Sequence, residues 1–172
     1  IRLLPANVRP AVSLAYLLAR TSDTVADAPA LPSTSGIDVL SCYRDDLASG
    51  ILRARTNGLL QATCTHHAGE RSLLQYAPFT FELLGRLPKD ERELVVDVLK
   101  KIIAEQILDQ TRFPDPQDLF FLNDSQELEE YTYLVAGCVG EFWTDIVHLH
   151  HARGAATRAR REQARMFGQA LQ

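Results

Sequence analysis

Hydrophobic positions recur along this chain with the period of a helix. The clearest stretch is "ERELVVDVLKKIIAEQILDQ", residues 91–110, where Leu94, Val95, Val98, Leu99, Ile102, Ile103, Ile107 and Leu108 form one broad apolar stripe. Pro88 stands just before it and Pro114 just beyond, as start and stop signals. The same period predicts helices over 7–26, 36–57, 70–85, 124–151 and 155–172. Pro29, Pro32 and residues 33–36 make one long connection, and "RFPDPQD" (112–118) makes another, because proline fixes φ and removes an amide donor. Alternating β-branched segments of useful length are absent, as are internal repeats. The pattern predicts an all-α single domain, a helical bundle whose helices are long enough to surround a central cavity.

Composition narrows the classes. A chain of 172 residues with 46% hydrophobic and 23% charged positions is ordinary for one globular core. A net charge of −4 supplies no basic field, so nucleic acid is not an expected partner. No run of eighteen apolar residues predicts a transmembrane helix. Cys42, Cys64 and Cys138 are odd in number and widely spaced, which predicts reduced thiols and a cytoplasmic protein. The chain begins at Ile1 and stops at Gln172 inside a helical pattern, so residues 1–172 are expected to be one domain, incomplete at both ends.

Two segments carry candidate chemistry. In "ARTSDTVAD" (19–27), Asp23 and Asp27 are four apart, hence on one helix face with Cβ atoms about 5–6 Å apart. Two such carboxylates repel unless a cation joins them, and Mg²⁺ takes one or two carboxylates, completing its shell with water and phosphate oxygens. Arg20 lies one turn earlier, where a guanidinium can grip the same phosphate. The plainer reading of the pair is a solvated helix face. In "EYTYLVAGCVGEFW" (130–143), Ala136, Gly137 and Gly140 interrupt an apolar face, and a glycine inside a helix costs ~1 kcal/mol against alanine. Something approaches the backbone there, either a neighbouring helix or a long apolar ligand. Gly168 in the terminal "RMFGQALQ" repeats the feature.

Together these segments resemble the squalene/phytoene synthase family of head-to-head isoprenyl diphosphate synthases. The family's first aspartate-rich motif follows a tyrosine and an arginine, as in "AYLLARTSDTVAD" with Tyr16, Arg20, Asp23 and Asp27. Its second signature, a tyrosine followed by V-A-G-x-V-G, is similar to "YTYLVAGCVG" from Tyr131 to Gly140. Its third begins with a glycine and a Leu-Gln pair, as in "FGQALQ". The resemblance implies an isoprenoid-synthase helical bundle around a prenyl-diphosphate cavity. It implies Mg²⁺ held by Asp23 and Asp27, diphosphate bound by Arg20 with Tyr16 nearby, and Tyr131 beside the reacting cations. Val135, Ala136 and Gly140 would line the prenyl channel and Gln172 would face it. The implied substrate is farnesyl or geranylgeranyl diphosphate, coupled head to head through a presqualene-type cyclopropane, with NADPH required where the product is squalene. Bulk at Phe142 and Trp143 would bear on product or chain length.

The resemblance also implies a second aspartate-rich helix following a third motif, which these residues do not contain. The chain alone is therefore expected not to turn over. The alternative within the family is a non-catalytic relative serving as a lipid-binding or assembly scaffold; both first-motif acids are kept, which favours the enzyme. The "YLVAGCVG" run separates the chain from terpene cyclases of the same architecture. Other groups are expected to be bland. "HLHH" (148–151) and "CTHH" (64–67) read as polar helix ends rather than zinc ligands, being about eighty residues apart. Glu141 with Asp145, and Glu127 with Glu130, read as solvated or rim acids rather than a metal pair. Arg153, Arg158, Arg160, Arg161 and Arg165 read as a solvated face, with peripheral contact to anionic lipid headgroups as the functional alternative.

Overall fold

The computed structural model describes residues 2–28, 33–63, 65–113, 121–150 and 158–171, and side chains within these except 33–35. They form nine α-helices and one π-helical turn, with no strand among the described residues. In order these are α1 (Arg9–Ala26), α2 (Ser33–Ser49), α3 (Ala54–Ala62), α4 (Ala68–Gln75) and α5 (Ala77–Arg86). Then follow α6 (Lys89–Arg112), α7 (Ser125–Thr132), the π turn (Tyr133–Gly137), α8 (Cys138–His150) and α9 (Arg158–Ala170).

The predicted 91–110 helix is present as α6, which at 24 residues is about 36 Å long and forms the axis of the molecule. Helices α1, α2 and α8 all pack against it. The reason lies in the stripes. Leu14, Leu18 and Val25 of α1, Leu40, Tyr43 and Leu47 of α2, and Val95, Leu99 and Ile103 of α6 are buried in one core with Leu84 and Phe81 of α5. Tyr43 is the largest side chain fully inside it. Its ring meets Phe81 edge-on at 5.8 Å, and its hydroxyl donates to the Leu18 carbonyl at 3.2 Å, so the one polar atom it buries is satisfied.

Three predicted helices are broken, each for a local reason. The 36–57 helix ends at Ser49, because Gly50 takes φ +72. The Gly50 amide then bonds the Leu47 carbonyl and the Ile51 amide bonds the Asp46 carbonyl, a Schellman close that stops α2. Buried Asp46 turns the next segment by accepting the Arg53 amide at 2.7 Å. The 70–85 helix divides at Tyr76, where Pro78 enters the first turn of α5 and withholds an amide that a continuous helix would need. The 124–151 helix begins as predicted, with Asp124 capping the Glu127 amide at 2.8 Å, but contains the π turn. Residues 29–32, 114–120, 151–157 and 172, and Cys64, lie outside the described residues, and with them Pro29, Pro32, residues 114–118 of the second connection, His151, Arg153 and Gln172. Residues 33–36, expected in the first connection, instead form the first turn of α2, and Arg112 ends α6. No helix among the described residues is long and apolar enough to cross a membrane.

Candidate functional site

The buried face of α1 carries Thr21, Ser22 and Thr24, whose hydroxyls return to carbonyls one turn back at Leu17, Ala19 and Arg20. That self-satisfaction lets the polar end of α1 pack closely against α6 without stranding donors. Arg20, Asp23 and Asp27 are then presented along the adjoining face, and α6 meets it with Glu105, Gln106, Asp109 and Gln110. The contact is polar. Gln106 Nε2 donates to Asp23 Oδ1 at 2.6 Å, and Gln110 Nε2 donates to the Ala26 carbonyl at 3.1 Å.

Electrostatics mark this as the strained part of the surface. Burial raises the Asp23 carboxyl above its ordinary range; Arg20 opposes that rise and Asp27 adds to it. Glu105 is pushed up to about 7, by burial first and then by the charges of Asp109 and Asp23. Asp109 is raised by burial, and the Tyr131 hydroxyl donates to it and holds it down in part. The Tyr131 phenol is raised in turn, by burial and by Asp109 and Glu105. Three carboxylates on two helices therefore share one region that disfavours their charges. Perturbed acids gathered in this way mark a candidate functional site.

Of the residues singled out in the sequence, Arg20, Asp23, Asp27 and Tyr131 are brought to this region by α1, α6 and α7. Tyr16, more than half exposed, lies one helical turn from Arg20 on α1. Arg20 is already held: Nη2 bonds Glu70 Oε1 of α4 at 2.7 Å, and Nη1 is 3.8 Å from Asp23 Oδ2. Glu70 in turn accepts from the Thr65 hydroxyl, which with Arg20 holds its carboxyl below the ordinary range. Glu70, Glu105, Gln106 and Asp109 were not picked out from sequence. Glu105 and Asp109 are themselves an acid pair four apart, but they sit inside the strongest apolar stripe of the chain, which masks them.

The second segment divides between two roles. Val135 and Ala136 lie partly buried in the π turn. Gly140 faces α9: a Cβ there would stand 2.1 Å from the Ala164 carbonyl oxygen. Gly168 mirrors it, with its Cβ position 2.4 Å from the Ala136 oxygen. The helix-packing reading of these glycines is the one this geometry carries. Phe142 is buried in the core while Trp143 is 41% exposed, so the two aromatics do not act as one lining.

Glu141 and Asp145 are ion-paired rather than free in solvent. Arg161 of α9 lies 3.1 Å from Asp145 and 3.6 Å from Glu141, and Tyr133 donates to Glu141 at 3.1 Å. Glu127 likewise pairs with Arg112 at 2.8 Å, and His150 stands 3.2 Å from Glu91 at the start of α6. An open cleft of about 900 Å³ lies between α7 and α9, lined by Ser125, Glu129, Tyr133, Glu141, Glu162 and Arg165 among others. None of Asp23, Asp27, Glu105, Asp109 or Tyr131 lines it.

The helical arrangement is that of an all-α isoprenoid synthase fold. A solved complex of TcSQS with the ligand BPH1237 superposes with a TM-score of 0.74 at 20% identity, covering 98% of this chain and 45% of that one. A complex of TcSQS with E5700 gives 0.67 at 20% identity, covering 96% and 44%. The chain thus spans less than half the length of these solved chains. No curated protein matches it. The squalene/phytoene synthase family model matches residues 1–172, and the chain belongs to that family.

Proposed function

We propose that this chain forms the first diphosphate-binding half of a Mg²⁺-dependent prenyltransferase that joins two farnesyl diphosphates, or a longer homologue, head to head. The observation that carries the reading is that Asp23 of α1, with Asp27 at that helix's C-terminal end beside it, faces Glu105 and Asp109 of α6, with Arg20 and Tyr131 at the margins. The donor set fits Mg²⁺: all are hard oxygens, and burial raises the carboxyls of Asp23, Glu105 and Asp109, with like charge adding to the rise at Asp23 and Glu105. The buried side-chain oxygens of Gln106 and Gln110 have no hydrogen-bond partner, so the same region holds neutral acceptors in reserve. Among the described residues no three His, Cys, Asp or Glu side chains are close enough to hold a metal alone.

In this reading Asp23 and Asp27 hold the metal, which when bound supplies Lewis-acid stabilisation of the departing diphosphate. Arg20 exchanges part of its bond to Glu70 for phosphate oxygens. The allylic C–O bond breaks with its electron pair leaving on diphosphate; the double bond of the second prenyl chain supplies the electrons for the new C–C bond, and loss of a proton from that chain closes the cyclopropane. Tyr131, whose hydroxyl donates to Asp109, would hydrogen-bond the released diphosphate. Val135 and Ala136 line the prenyl path. NADPH enters only where the cyclopropyl intermediate is reduced to squalene. Met166 and Phe167 are exposed on the helix that also carries Arg158 and Arg160, with Leu171 exposed just past its end, which supports peripheral contact with anionic headgroups.

Calorimetric titration with farnesyl diphosphate, with and without Mg²⁺, tests the reading. Mg²⁺ is expected to tighten binding at least tenfold, and Asp23→Asn to abolish that gain. Binding indifferent to Mg²⁺, or unchanged in Asp23→Asn, would sink the enzyme reading and leave the scaffold one.

A further inference from the structure

The π turn has its own fastening. The Cys138 amide reaches back to the Tyr133 carbonyl, an i→i−5 bond, so the helix takes in one extra residue between Tyr133 and Gly137. Each residue of an α-helix adds about 100° of rotation. On an unbroken helix Tyr133 and Glu141, eight apart, would point about 80° away from each other. With one residue absorbed they fall within about 20°, on one face. That is where the structure places them: the Tyr133 hydroxyl donates to Glu141 Oε2 at 3.1 Å across the turn. Lys101 of α6 closes the group, with Nζ 5.9 Å from the Tyr133 ring centre, 2.9 Å from Asp97 and 3.9 Å from Glu141. Arg161 of α9 reaches Glu141 from the other side at 3.6 Å. The bond from Tyr133 to Glu141 can therefore be made well in the π register and poorly in the α register.

The same extra residue sets where Tyr131 points. Nine residues of straight helix would put Tyr131 and Gly140 about 180° apart; the π turn reduces this to about 80°. Gly140 is pinned, since its face lies against the Ala164 backbone of α9. With α8 pinned, loss of the extra residue would swing α7 by about 100° and carry Tyr131 off Asp109. We propose that Tyr133, fastened between Lys101 and Glu141, is a positioning residue. It holds the 133–137 segment in the π register and thereby aims Tyr131 at the carboxylates of α6. The inference deepens the site reading above, in which Tyr131 belongs to the site, but its test needs no substrate.

The protein has five tyrosines, at 16, 43, 76, 131 and 133, so a sample labelled with ¹³Cζ-tyrosine gives a spectrum assignable by single Tyr→Phe changes. In Tyr133→Phe, and again in Glu141→Ala, the Tyr131 resonance is expected to move toward that of exposed Tyr76. Core Tyr43 is expected to stay in place. A Tyr131 resonance unmoved in both variants overturns the proposal. So does a shift of Tyr43 together with Tyr131, which would make the fastening a general folding contact. Should Tyr131 move as expected while Mg²⁺ fails to tighten prenyl diphosphate binding, the positioning stands and the enzyme reading alone falls.

Discussion

Two helix pairs in this molecule approach each other closely, and they do so by opposite means. Helices α1 and α6 meet at their polar ends through long side chains, with Gln106 and Gln110 bridging to Asp23 and to the Ala26 carbonyl. Helices α8 and α9 meet backbone to backbone, with Gly140 against Ala164 and Gly168 against Ala136. The first contact leaves partly buried acids whose charges burial and mutual repulsion disfavour. The second leaves no room for even a methyl group. Small residues in one motif and acids in the other thus do different work in the fold: the first fix the frame, and the second are the candidate site acids that the frame positions.

The sharpest way to break that contrast is Gly140→Ala. Its new carbon would meet a backbone oxygen rather than the end of a flexible side chain, so helix α9 itself has to move. A loss of about 3 kcal/mol is expected, at the top of the overpacking range, read as the midpoint of denaturant unfolding. A change under 1 kcal/mol would show that α9 is free to retreat. The corresponding truncation on the polar side, Gln106→Ala, removes one hydrogen bond to a carboxylate and should cost about 1.5–3 kcal/mol by the same measurement.

Glu105→Gln should act in the other direction. The Glu105 carboxyl rises from 4.5 to about 7 on folding, so between those values the folded chain holds more protons than the unfolded one. Stability then falls as pH rises through that window, with a slope below the ~1.4 kcal/mol per pH unit that one whole proton allows. The glutamine variant should flatten this slope and melt higher than the parent above pH 7. An unchanged pH profile would mean that Glu105 is not confined with Asp23 and Asp109. The smallest expected effect is the control for the glycine argument. Gly58→Ala on exposed α3 meets nothing within 4 Å and should stabilise by about 0.5–1 kcal/mol.

Much of this was legible in the chain. The periodicity of residues 91–110 specifies α6 because a 3.6-residue apolar stripe buries itself whatever its partner. The Asp23–Asp27 spacing places two carboxylates on one face for the same reason. What the stripe could not reveal was that Glu105 and Asp109 within it face those acids, since facing depends on how α1 crosses α6. Glu70 was invisible too, because its tie to Arg20 joins residues fifty apart with no local pattern between them. Helix interruptions were misjudged where a single residue decided them: Gly50 by its positive φ, Pro78 by its missing amide.

The π turn shows the division most plainly. Local sequence makes 125–150 helical throughout, since every step from Ser125 to His150 is compatible with a helix. Whether that helix absorbs an extra residue is set by contacts made elsewhere, by Lys101 on α6 and by the Ala164 backbone on α9. Periodicity is a property of neighbours along the chain, so sequence alone determined which segments coil and which faces turn inward. The relative rotation of one segment against the next costs little locally. Only the packing of α6, α8 and α9 around it could decide where Tyr131 points.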